Sequence, residues 1–207
     1  MTETWHHLHV TDHGFGLLDR GELPMTPGPW SNGLVRPLPS GALVFTGISQ
    51  GHVRVRAVAA EQAPASTDTS SWEEIVDVSV TAPHGELRVD SYEDGPAQTL
   101  PLLSSHGPGT YRLRVHARGR DLYYDRLRNE PSEDYLIVSW PAPPAAETII
   151  RATDRCGLAL RQTLAPSSNV APPTPDEAVR PDAFAANHQA ILGLIAQPEP
   201  SERPDKP

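Results

Sequence analysis

The run Tyr111-Arg112-Leu113-Arg114-Val115-His116-Ala117-Arg118 alternates without a break between side chains that leave water and side chains that stay in it. A period of two marks a strand with one buried face. A helix would need its apolar residues at every third or fourth position. The same alternation recurs along the chain. Val53, Val55 and Ala57 alternate with Arg54 and Arg56, and Val76, Val78 and Val80 alternate with Asp77 and Ser79. Pro24, Pro27, Pro29, Pro37 and Pro39 preclude a long helix between them, because proline lacks the amide donor and its ring clashes with the preceding turn.

Further strands are predicted at 4–11, 86–92, 98–103, 134–140 and 147–151. In the first, His7 and His9 share one face, opposite His6, Leu8 and Val10. Residues 134–140 are apolar on both faces, Tyr135 and Ile137 against Leu136, Val138 and Trp140, as in a central strand covered on both sides. Residues 41–60 read as a hairpin around Ser49-Gln50-Gly51, and 72–81 pairs back with 86–92, which turns Leu87 and Val89 inward, across Pro83-His84-Gly85. About eight short strands with frequent turn signals define an all-β antiparallel sandwich or jelly roll over residues 1–152. Its core is predicted to hold Val44, Phe45, Val55, Val78, Leu87, Tyr111, Leu113, Val115 and Ile137. Trp5, Trp30, Trp72 and Trp140 are read as core or sheet-end plugs.

Residues 153–207 differ in kind. Of 23 prolines, 12 fall from Pro141 onward, a Pro-rich C-terminal extension. Asp154 is placed to cap a short helix running to Leu164, and 166–175 reads as an extended linker. A second, amphipathic helix is predicted over about 182–196, with Phe184, His188, Ile191, Leu192 and Ile195 on one face as a recognition stripe.

The charge balance limits the functions available. A formal net charge of −9 argues against a nucleic-acid partner, because phosphate binding needs clustered cations. Cys156 is the single cysteine, which excludes an intramolecular disulfide and a cysteine-based zinc site and suits a reducing compartment. The N-terminal residues lack the basic-then-apolar order of a secretory signal, and no run approaches the length of a membrane-spanning helix. The chain is therefore expected in the cytoplasm, without a cofactor and without a membrane partner.

Against that acidic background the outward face of the arginine strand stands out. Arg112, Arg114, His116, Arg118 and Arg120 continue it, and Arg54 and Arg56 join it if the two strands are neighbours. Such a face binds an acidic protein partner, or it is neutralised by carboxylates on adjacent strands, among them Asp77, Glu86, Asp90, Glu133 and Asp134. The following loop, Leu122-Tyr123-Tyr124-Asp125-Arg126-Leu127, combines tyrosine with arginine in the manner of interface hot spots. A metal site is not predicted; His7 and His9, two apart on a strand, are its only sequence-level candidates, with His116 as a third ligand. There is no nucleophile-elbow motif and no phosphate-binding loop, and Glu133 and Asp134 fall on opposite faces of one strand, so they cannot converge on one substrate.

The block GTYRLRVHARGRD followed by EDYLIVSWPAP resembles a signature of small actinobacterial proteins of β-sandwich type, a resemblance that implies a fold and no activity. From Trp5 to Trp140 the chain is also similar in strand spacing to the competence protein J family, inhibitors of a DNA-entry nuclease, through Val44-Phe45, Leu100-Pro101 to Gly109, Tyr111 and Leu113, and Tyr135-Leu136-Ile137. The cationic face has the wrong sign for presenting carboxylates to a basic nuclease cleft, and no inhibitory residue carries over. The resulting expectation is a non-enzymatic, inhibitor- or immunity-like protein-interaction module that offers the Arg face and the Tyr123/Tyr124 loop to a protein partner. The alternatives are a metal- or ligand-binding jelly roll with hydrolytic activity, and a structural subunit of a larger assembly.

Overall fold

A computed structural model describes residues 4–21, 23, 28–65 and 68–163. Twelve strands precede one helix. They are β1 (His6–Val10), β2 (Gly14–Asp19), β3 (Val35–Leu38), β4 (Gly41–Phe45), β5 (Gln50–Ala59), β6 (Glu74–Ala82), β7 (Leu87–Ser91), β8 (Gly95–Pro96), β9 (Gly109–Arg118), β10 (Leu127–Arg128), β11 (Asp134–Pro141) and β12 (Thr148–Ala152), followed by α1 (Arg155–Gln162). The all-β expectation holds, with more and shorter strands than the eight read from sequence.

Two sheets face each other. The larger runs β1-β5-β11-β9-β6-β12, with β10 also on β5; the smaller runs β3-β4-β2-β7-β8. Alternation decides what lies between them. Phe15, Leu17, Val44, Leu87 and Val89 from the smaller sheet meet Val53, Val55, Val76, Val78, Leu113, Val115 and Ile137 from the larger one, all fully buried. The Phe15 and Tyr135 rings meet edge to face across the core at 5.2 Å. Fully burying each such side chain contributes about 1.5–3 kcal/mol, which is why the period-two pattern fixes the inward faces.

The connections depart from expectation. Residues 41–60 do not form a hairpin: β4 pairs with β2 and β3, whereas β5 pairs with β1, β10 and β11 in the other sheet. The link between them crosses the end of the sandwich, where the buried Glu133 carboxylate accepts the Gly47 and Ile48 amides at 3.0 and 2.6 Å. Gly47 is required there because a Cβ would collide with the Arg120 carbonyl. Likewise β6 and β7 do not pair back; they lie in different sheets. Residues 98–103 form no strand but close one edge of the core through Leu100 and Leu103. The larger sheet is mixed, since β11 and β10 run parallel to β5. β11 is central, as expected, but only its inner face is fully covered; Leu136 and Val138 stay partly exposed.

Asp154 caps α1 as expected, its carboxylate accepting the Gly157 amide at 2.7 Å. The helix buries Cys156, Ala159 and Leu160 against Phe45 and Tyr124. The residues just past 152 are thus packed onto the sandwich. The predicted helix over 182–196 lies outside the described residues.

Candidate functional site

The register of the larger sheet places Arg54, Asp134 and Arg118 side by side on three adjacent strands. Asp134, 5% exposed, receives both arginines: Arg54 at 2.5 and 2.9 Å, Arg118 at 2.7 and 2.8 Å. Two rows further, Arg114 forms a bidentate pair with Asp77 at 2.7 and 2.9 Å. Arg112 is 8% exposed and donates to Ser79 Oγ and to the carbonyls of Ala145 and Ala146. His116 is buried beside Trp72, its Nδ1 3.2 Å from the Leu136 carbonyl, and burial holds its pKa below the usual imidazole value.

Tryptophans cover the same guanidinium groups. Trp5 lies against Arg54, Trp72 against Arg118 and Trp140 against Arg114, at 5.9, 5.1 and 5.6 Å. These rings belong to the outer face and do not plug the core. The expected cationic face is therefore a folded-in ladder of arginine, carboxylate and indole. Arg54 and Arg118 keep their side chains near half exposure, at 44 and 42%. Arg56 lies in the same face, opposite Leu136 and only partly exposed.

Arg120 departs furthest from expectation. It is fully buried, donates to both Asp154 oxygens at 2.7 and 2.9 Å, and also reaches the carbonyls of Gly33 and Phe45. Gly119 causes this, because its φ of +87° ends the strand's alternation and turns the next side chain inward. Arg112, His116 and Arg120 are consequently corrected from surface-presenting residues to structural ones.

Tyr123 and Tyr124 divide. Tyr124 packs into the cluster under α1, near His13 and Phe45. Tyr123 is exposed, with the Arg128 guanidinium 4.0 Å from its ring centroid. Its neighbours Leu122 and Leu127 are 67 and 61% exposed, Tyr123 itself 40%. The loop carrying all three is braced at several points. Asp121 accepts the Arg155 and Cys156 amides at 2.9 Å each, Asp125 receives His13 Nε2 at 3.1 Å, and its own amide donates to the Gly47 carbonyl. Ser49 donates its amide to the Arg126 carbonyl, and Leu127 and Arg128 pair with β5. The exposure of Leu122 and Leu127 was not anticipated. The only signal was two leucines flanking a polar loop in which no period applies.

The histidines do not converge. His7 lies opposite Arg54, and His9 opposite His52, with ring centroids 5.3 Å apart and Glu93 at 3.5 Å. His116 is three strands away from both. Among the described residues no group of three histidine, cysteine or carboxylate side chains is arranged to hold a metal. Cys156 is fully buried, and burial pushes its thiol far above the usual range. Phe184, His188, Ile191, Leu192 and Ile195 lie outside the described residues.

The chain matches no known family, no curated protein and no solved structure. Among the described residues no helix is long and apolar enough to cross a membrane.

Proposed function

We propose that this protein is a non-enzymatic interaction module of the inhibitor or immunity type, acting in the cytoplasm on a protein partner. One observation carries the reading: Leu122, Tyr123 and Leu127 stand exposed on a loop that is fastened to β1–β2, β5 and α1. Exposed apolar side chains on a held loop lose little conformational entropy on binding, so their burial is retained as affinity. Arg128 against Tyr123, with Arg54 and Arg118 on the adjoining sheet face, supplies a cationic rim that favours an acidic partner and speeds encounter. Arg112 and Arg114, largely buried within the ladder, contribute to the fold and stand outside this surface.

The test is a paired capture experiment. Full-length protein and the Leu122→Ser/Tyr123→Ser/Leu127→Ser variant are immobilised, and bound proteins are identified by mass spectrometry. These side chains are exposed, so the variant should keep its thermal transition. A stoichiometric partner held by the native loop and lost from the folded variant is the expected result. Equal capture by both proteins would refute the assignment of the surface.

A further inference from the structure

The outer face of the smaller sheet, away from the braced loop, contains a second feature. Leu87 and Val89 point into the core, so Arg88 and Asp90 share the outer face of β7. They are two residues apart, about 7 Å along a strand. Arg88 lies opposite Leu18 and Asp90 opposite Gly16. Both line a cavity of about 240 Å³, together with Leu18, Arg20, Glu86 and Gln98.

Asp90 is only 5% exposed, yet its Oδ2 is buried without a hydrogen-bond partner. Buried polar groups are almost always paired, and leaving a carboxylate unpaired costs more than leaving a neutral group so. The burial raises its pKa. Arg20, which lines the same cavity, is already committed: its Nε and Nη2 both donate to Glu86 Oε1, at 3.3 and 3.2 Å. Arg88 forms no hydrogen bond or ion pair with any described residue, although it borders the same cavity. Gly21, at φ +68°, also lines the cavity; a Cβ there would stand 3.4 Å from Asp90 Oδ2.

An unpaired carboxylate and an unpaired guanidinium, side by side in one small cavity, are complementary to a molecule that carries both charges. We propose that this cavity binds a small zwitterion of the amino-acid class, its cationic group on Asp90 and its carboxylate on Arg88. The volume suits such a ligand, since pockets for drug-sized molecules run from roughly 300 to 1,000 Å³. Fork-like pairing of carboxylate with guanidinium supplies orientation, and Glu86 with Arg20, already neutralising each other at the rim, adds no competing charge.

The test is an amide-resolved NMR titration of the full chain with L-arginine and with glycine, followed by the same titrations of Asp90→Asn and Arg88→Gln. Agmatine, which has arginine's guanidinium but no carboxylate, is the comparison ligand. Saturable shifts centred on β7 with at least one zwitterion are expected, weakened about tenfold or more in either variant and with agmatine. Asp90→Asn is nearly isosteric and Arg88→Gln shortens a partly exposed side chain without a partner, so a native-like spectrum is expected from each. The proposal is overturned if neither zwitterion gives saturable shifts up to tens of millimolar, if agmatine binds as well as arginine, or if the variants bind like the native protein.

Discussion

Replacing Arg120 by methionine tests the account of how the chain beyond β12 is fastened to the sandwich. The substitution keeps an unbranched side chain of similar reach, so little cavity forms. It removes the guanidinium that holds both Asp154 oxygens and strips a donor from the Gly33 and Phe45 carbonyls. Arg120 and Asp154 are both 0% exposed, so the remaining carboxylate is left charged and dry. Breaking such a pair costs about 3–5 kcal/mol, a large part of the roughly 5–15 kcal/mol that holds a typical domain together. With a urea slope near 2 kcal/mol per molar, the unfolding midpoint should fall by about 2 M at pH 7. Arg120→Met/Asp154→Asn should recover roughly half of that loss. The asparagine still caps the Gly157 amide but carries no charge. A single variant losing less than about 1 kcal/mol, or a double variant no more stable than the single, would refute the reasoning.

Two further perturbations test the same end of the molecule. Burial raises the pKa of Glu74 to about 7 against the pull of Arg161, 2.8 Å away. The folded state therefore holds its proton more tightly than the unfolded state, whose carboxylate titrates near 4.3. Stability from this group is complete below about pH 4 and is lost as pH rises toward 7, by about 3–4 kcal/mol at most. In denaturant melts across that window, Glu74→Gln should flatten the decline; an unchanged pH profile would contradict it. Cys156, fully buried with its thiol pKa pushed up, should react with a colorimetric disulfide reagent only as fast as the protein opens. Labelling of native protein at the rate seen in urea would show that α1 is not docked.

Strand faces were legible in the sequence because alternation is a local property. Tyr111, Leu113, Val115 and Ala117 point inward as their spacing requires, and Asp154 caps its helix from composition alone. Strand partners were not legible, because alternation does not say which sheet a strand joins. The step from β4 to β5 looks like a hairpin turn, but the pairing is decided by Glu133, a residue some 85 positions later that captures the linking amides. The arginine face shows the same limit. Its periodicity is in the sequence, whereas its neutralisation depends on β11 and β6 lying beside β9 and bringing Asp134 and Asp77 with them. Arg120 was misplaced because alternation was carried one step past Gly119, where a left-handed backbone ends it. The exposed trio on the loop and the unpaired Arg88 and Asp90 are properties of what fails to cover a residue, and no window of sequence records that.

The placement of β11 has a consequence for how the molecule is made. Its two neighbours both precede it in the chain, β5 by some 75 residues, and each must wait with one edge unpaired. An open edge is a template for pairing with another chain, and parallel, long-range pairing of the kind β11 makes with β5 is slow to form. During that interval Arg54 and Arg56 on β5, and Arg112, Arg114 and Arg118 on β9, put charge along the waiting edges. Charged side chains there discourage two nascent copies from joining. When β11 arrives, Asp134 meets Arg54 and Arg118 together. The charges that kept the edges apart during synthesis then hold the finished sheet in register.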